Sequence, residues 1–289
     1  MEEHLGKGTI TYKNSGNIYV GEFKDGVPHG VGKMTYKDGR ICSGIWNNGK
    51  FVYEGKINDK GEPHGKGKYM CSSGSIYEGD WVNGMMHGEG TYIWPDGSSY
   101  DGEWKNGSRN GTGIRKYPNG SVDYEGQWKD GKKHGDGVCY FENGNVHEGS
   151  FTNNKPHGVG KMKDKDGRVC EGIWWYGKLL YEGELNDKGK PHGKGKKTYW
   201  NDDVYEGEWM NGMMHGYGIF KYHDGSVCYD GCYKDNQRDG PGRCYYKNGD
   251  VYTGEWGADD MNGTGVMVYA NKDVYDGEWK NDRRDGRAR

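Results

Sequence analysis

Residues 77–90 read Tyr-Glu-Gly-Asp-Trp-Val-Asn-Gly-Met-Met-His-Gly-Glu-Gly, and residues 205–218 read Tyr-Glu-Gly-Glu-Trp-Met-Asn-Gly-Met-Met-His-Gly-Tyr-Gly. Side chains two apart in a strand share a face. Tyr77, Gly79 and Trp81 therefore point one way, and Glu78 and Asp80 the other. Asn83-Gly84 is a two-residue hairpin signal, and His87-Gly88-Glu89-Gly90 falls on the returning strand. Glycine weakens a strand, so its use here implies that rings must lie close over bare backbone. The stretch predicts one β-hairpin.

The same hairpin recurs along the chain. Reading the central glycine of aromatic-x-Gly-x-aromatic gives Gly21, Gly44, Gly55, Gly79, Gly102, Gly126, Gly149, Gly172, Gly183, Gly207, Gly231, Gly254 and Gly277. The steps are 23 or 24 residues, except for two of 11, from Gly44 to Gly55 and from Gly172 to Gly183. A step of 11 has room for one strand and not a hairpin. Two aromatic-Gly strands should therefore pair directly near 42–57 and 170–185, exchanging the edge that receives the His-Gly turns. A second level sits above the first, because Pro28 to Met34 recurs as Pro156 to Met162 and Asn83 to Gly88 as Asn211 to Gly216, each 128 residues later. The expected organisation is one continuous array over 1–289, duplicated as about 1–128 and 129–256, with a partial repeat at 257–289.

Composition fits an array and excludes a layered globule. Of 289 residues 55 are Gly, hydrophobic residues make up 31%, and Tyr, Trp and Phe account for 24, 11 and 5. A single repeat cannot bury enough to offset its ordering entropy, so neighbouring repeats must stack cooperatively. Net charge is −3, without the basic stripe that phosphate neutralisation requires, so no nucleic acid is expected as a partner. The start, Met1-Glu2-Glu3-His4, has no apolar stretch behind it, and seven Cys with no C-x-x-C pair suit reduced thiols, so the expected setting is cytoplasmic rather than secreted.

Sites of chemistry do not emerge. Seven equivalent histidines (His29, His64, His87, His134, His157, His192 and His215) invite a metal, but two strands per repeat set neighbours about 10 Å apart, too far to share one zinc. The nearest approaches to a phosphate-binding loop, from Gly44, Gly126 and Gly172, lack the final hydroxyl residue. The expectation is no catalytic residue, no metal and no cofactor. Candidate contacts for a partner are the ring stripe, represented by Tyr77, Trp81, Tyr100, Trp104, Tyr124, Trp128, Tyr205, Trp209, Tyr252 and Trp256. The methionine pairs Met85-Met86 and Met213-Met214, read as exposed hairpin tips, are further candidates.

With these motifs in view, the chain resembles the MORN (membrane occupation and recognition nexus) repeat family, whose pattern is matched most fully by Tyr77 to Gly90 and Tyr205 to Gly218. The resemblance implies an all-β, elongated, single-layer antiparallel meander of tandem hairpins, solenoid-like, with an aromatic-lined groove and no catalytic domain. It also implies a non-enzymatic scaffold or adaptor binding a protein partner at cytoskeletal, ciliary or membrane structures. Alternatives are a peripheral adaptor binding acidic phospholipid such as phosphoinositides, and a regulatory partner of a separate enzyme. Both ends stop within a repeat, at Leu5-Gly6-Lys7-Gly8 and beside Arg283, Arg284, Arg287 and Arg289, so a homo-oligomer through uncapped sheet ends is a further expectation.

Overall fold

The computed structural model describes residues 6–286, in which there are 25 strands and no helix. Leu5, Arg287 and Arg289 lie outside them. Two compact units emerge, 1–146 with 151–154, and 147–150 with 155–289, so that the strand Val146–Thr152 contributes to both. In the first unit the strands from Gly6–Thr11 to Lys132–Tyr140 each pair antiparallel with the next in sequence. In the second, those from Lys155–Lys163 to Arg283–Asp285 do the same. Each unit is the expected all-β meander of hairpins.

The two glycines of His-Gly-x-Gly do different work. Between Ile76–Val82 and Met85–Ile93 the register runs Tyr77 opposite Tyr92 and Gly79 opposite Gly90, then slips so that Asp80 faces His87. The slip is a bulge, and its Gly88 is left-handed at φ 57°, a conformation that costs any residue with a Cβ. Gly90 instead lies flat beneath the Tyr77 ring, where a methyl group would collide with the hydroxyl end. The bulge leaves an N–H outside the ladder, and the carboxylate one residue after the facing strand's central glycine satisfies it on the outer face. Asp80 Oδ2 accepts from Glu89 N at 3.1 Å, Glu22 Oε2 from Val31 N at 2.8 Å, and Glu103 Oε1 from Thr112 N at 2.7 Å.

In three repeats the histidine tethers the next turn. Nδ1 of His29, His87 and His192 accepts long bonds of 3.4, 3.4 and 3.5 Å from the N–H of Asn48, Asn106 and Asn211. Those asparagines are left-handed, at φ 48°, 49° and 53°, as the first position of an Asn-Gly hairpin turn demands.

The 11-residue steps turn the array over. Ile41–Asn47 pairs directly with Lys50–Ile57, and Val169–Trp175 with Lys178–Leu185. Beyond the first step, Asn58 Nδ2 donates to Asn83 Oδ1 at 3.2 Å, so the Asn83-Gly84 turn shares an edge with the 58–62 loop. One strand reversal separates that edge from the one carrying the Asn48-Gly49 turn. His29 and His87 therefore lie on opposite edges of the first unit. The second unit repeats this: Asn186 Nδ2 donates to Asn211 Oδ1 at 3.0 Å, which separates His157 from His215.

The ring-bearing face exchanges as well, which the spacing alone had not suggested. Ile45 sits opposite Tyr53, and residues opposite one another point to the same side. Trp46, one residue on, points to the other. Ile45 accordingly packs with the cluster that starts at Tyr53, while Trp46 packs with Tyr19, Met34 and Phe51. Likewise Ile173 packs with the cluster that starts at Tyr181, and Trp174 packs against His147 at 4.9 Å. A chiral hairpin can change edge only by rotating half a turn about the stacking direction, and such a rotation exchanges faces too.

Candidate binding surface

The ten rings named from the sequence are the core. Tyr77, Trp81, Tyr100, Trp104, Tyr124, Trp128, Tyr205, Trp209, Tyr252 and Trp256 are between 0% and 6% exposed. Neighbouring rings within a unit interlock edge to face: Tyr77 meets Trp81 at 5.0 Å and Trp104 at 5.3 Å, Tyr100 meets Trp104 at 5.2 Å and Trp128 at 5.3 Å. In the second unit Tyr205 meets Trp209 at 5.0 Å, and Tyr252 meets Trp256 at 5.1 Å. Such contacts add about 0.5–1.5 kcal/mol each beyond area burial. Their polar tips are spent internally. Tyr77 and Tyr100 hydroxyls donate to Asp80 O and Glu103 O at 3.0 Å, and Nε1 of Trp81 and Trp104 to Gly67 O and Gly90 O at 3.1 and 2.9 Å. None of the ten offers a ring face to solvent, because a thin sheet has no other apolar mass to bury.

A residue five positions after the second aromatic of each motif closes the stripe. Arg109 lies over Trp128 at 4.3 Å, Arg238 over Trp256 at 3.9 Å and Lys133 over Tyr124 at 5.1 Å. Met86 and Met214 hold the equivalent position and pack on the ring clusters, with Tyr199 Oη 3.8 Å from the Met214 sulfur. The methionine pairs are therefore in strands, Met85 opposite Val82 and Met213 opposite Met210, not at hairpin tips. Met85 alone of the four reaches 44% exposure. Methionine or a cation at that position does one job, covering a ring, and only alignment of repeats at the aromatic would have shown it.

The face opposite the rings is open and charged. In the first unit a trough is lined by Glu54, Lys66, Lys68, Glu78, Glu89 and Asp101, with Gly67, Gly79 and Gly90 along its floor. Glu78 pairs with Lys68 at 3.2 Å, and Asp101 accepts from the Thr91 hydroxyl at 2.9 Å. The second unit has a counterpart lined by Tyr217, Asp230, Arg243, Glu255 and Asp276 among others. Among the described residues no group of three or more His, Cys, Asp or Glu side chains is placed to hold a metal, and all seven cysteines are free thiols.

The model of the MORN repeat matches eleven segments: 19–39, 59–76, 77–99, 100–122, 124–146, 147–167, 181–203, 205–227, 229–251, 252–274 and 275–289. The chain belongs to the MORN repeat family. The internal stretches of more than a residue or two left unmatched, 40–58 and 168–180, are the half-repeat steps, where a second aromatic-Gly strand stands in place of the His-Gly strand. No curated protein matches the chain. Among solved structures, the SAS-4 (dCPAP) TCP domain of Drosophila melanogaster, in complex with a proline-rich motif of Ana2, aligns with 74% of this chain and 90% of its own, at 10% identity and a TM-score of 0.24. The TCP10 domain of Danio rerio CPAP aligns with 94% and 100%, at 12% identity and a TM-score of 0.15. Likeness at that level carries no argument about fold or ligand.

Proposed function

We propose that this MORN-repeat chain is a non-enzymatic scaffold that holds a protein partner along its carboxylate-lined face. The observation that carries the reading is the division of labour between the faces: the rings are closed off by Met86, Arg109 and their equivalents, while the opposite side presents a trough floored by glycine backbone. Its rim carries four carboxylates (Glu54, Glu78, Glu89, Asp101) against two lysines (Lys66, Lys68). A segment carrying spaced Lys or Arg fits that balance, and an anionic membrane does not.

Proximity labelling in the native cell, comparing the natural chain with Glu54→Lys/Glu78→Lys, tests it. The expected result is loss of a specific, salt-sensitive set of neighbours with the fold retained. Salt-sensitive pelleting with anionic but not neutral liposomes, and an unchanged neighbour set, would favour a phosphoinositide-binding adaptor instead.

A further inference from the structure

One patch of the second unit has a different character from the rest of the array. Trp175, Tyr176 and Trp200 are 47%, 44% and 64% exposed. They stand together at one sheet edge, where Trp175 ends the strand Val169–Trp175, Tyr176 begins the turn after it, and Trp200 lies in the 199–203 loop. Trp175 touches Tyr176 at 5.6 Å and 89° and Trp200 at 6.1 Å and 79°, and His157 packs on Trp175 at 4.6 Å and on Tyr176 at 4.7 Å.

The cluster is costly. Tyr176 is left-handed at φ 46°, where the other turns of this type place Asn, Asp or Ala, and a Cβ-bearing residue with no short polar side chain loses roughly 1–2 kcal/mol there. The tether to the turn is also gone: Nδ1 of His157, like that of His215, is buried with no hydrogen-bond partner, whereas the same atom of His29, His87 and His192 accepts the turn N–H. The copy 128 residues earlier carries Asn47, Asn48 and Ser72 at the matching positions. Folding alone therefore does not need the three rings. Strain that persists where a cheaper residue would serve points to function.

We infer that Trp175, Tyr176 and Trp200 form a docking site for a short proline-rich segment in the polyproline II conformation. The area sets the size of the occupant. Three rings about half exposed present roughly 300 Å², well short of the about 800 Å² per side that a stable complex of folded partners buries, so a second copy or a globular partner seated here alone is undersized. The ring contacts exclude a cage for a quaternary ammonium, since rings that touch one another leave no room between them for a cation. Strand addition is excluded by position, because the patch lies at turns rather than along an open strand.

Hydrogen-bond polarity then selects the backbone. Indole N–H groups donate and cannot accept, and among the described residues those of Trp175 and Trp200 meet no acceptor, in contrast with Trp81, Trp104 and Trp209. A proline-rich chain is the complement: its carbonyls are exposed, its prolines have no N–H to satisfy, and its flat rings stack on aromatic faces held at steep angles. Net charge adds no preference, as Lys178 is matched by Asp202 at 3.0 Å on the rim. This site does not depend on the carboxylate-lined trough.

The test is titration of the full chain with decaproline and a set of Pro-x-x-Pro decapeptides, followed by tryptophan fluorescence and calorimetry, beside Gly-Ser peptides of equal length. The comparison is Trp175→Asn/Tyr176→Asn/Trp200→Ser, which installs the first copy's residues, with Trp200→Ser alone as a milder variant. Saturable binding of at least one proline peptide, weakened about tenfold or more in the triple variant and less in the single one, is the expected result. Absence of binding to every proline peptide would overturn the proposal. So would equal affinity in the variants, or variant-sensitive pelleting with phosphatidylcholine vesicles in place of peptide binding.

Discussion

Residues 28–74 and 156–202 are two renderings of one backbone. They share Pro28 to Met34 with Pro156 to Met162, the direct pairing of two aromatic-Gly strands, and the buried Tyr53 or Tyr181 that starts a new ring series on the other face. They differ at the turn that follows the first of those strands, where the earlier copy has Asn47-Asn48 and the later has Trp175-Tyr176. The rings and left-handed glycines are shared, while differences fall both inside, as at Phe51 and Leu179 or Tyr69 and Lys197, and at the exposed edge. An interior exchange is answered by repacking, but three rings gained at an exposed edge add little to the fold, and that is where function can be written.

The largest expected effect probes what the copies share. Gly67 and Gly195 lie beneath Tyr53 and Tyr181, and a methyl group on either would collide with the tyrosine's hydroxyl end. Gly67→Ala and Gly195→Ala should each destabilise the chain by about 3 kcal/mol or more, because buried rings locked edge to face cannot withdraw. Gly39 and Gly167, also 128 apart, are left-handed at φ 86° with nothing near the position of a Cβ. Alanine there should cost only about 1 kcal/mol. Urea denaturation of the four variants checks the order. Similar losses at all four would break the claim that ring closure, rather than turn geometry, sets the shared framework.

A middle-sized effect separates the copies by pH. Tyr19 of the first corresponds to His147 of the second. Burial raises the Tyr19 hydroxyl to about 12, out of the working range, but lowers the His147 imidazole from its ordinary 6.5 to about 4. The folded value lies below the unfolded one. Above pH 6.5 both states are neutral at this residue and stability is intact; as pH falls toward 4 only the unfolded chain takes up the proton. Folding should lose about 2 kcal/mol between pH 7 and pH 5 from this residue. His147→Tyr, which restores the residue used in the first copy, should remove that increment in denaturation curves at the two pH values. A pH response identical in variant and natural chain would assign the dependence elsewhere.

Much of the architecture could be read without coordinates, for a physical reason. Glycine under a ring and Asn-Gly in a turn are steric requirements, so they recur wherever the backbone does, and period, hairpins and the direct strand pairing of the half-steps follow from counting. The exchange of faces was harder to see. Its signal was Ile45 and Ile173 standing where most other repeats carry acids, but single apolar residues are ordinary on a surface. The ring stripe was legible as a stripe and illegible as a closed core, because the covering Arg109, Lys133 and Met86 share a position and not a chemistry. Trp175, Tyr176 and Trp200 were visible as letters throughout. Reading for the period favours what repeats have in common and passes over where they part.

The smallest effect bears on that divergence most directly. Tyr176→Asn puts a residue that tolerates the left-handed region into the turn and offers the N–H back to His157 Nδ1, the arrangement of Asn48 with His29. Both changes favour the fold, so the variant should be more stable by about 1 kcal/mol, at the lower end of what a left-handed tyrosine costs. The reciprocal Asn48→Tyr should lose a similar amount. Thermal melts of the two single variants and of the double exchange decide it. A gain in one copy mirrored by a loss in the other shows that the later copy retains its tyrosine against its own stability. That is the pattern expected of a residue kept for contact with something outside the chain. If Tyr176→Asn is instead destabilising, the packing of Tyr176 on Trp175 and His157 outweighs the backbone strain, and the rings would then be a local core rather than a surface held open.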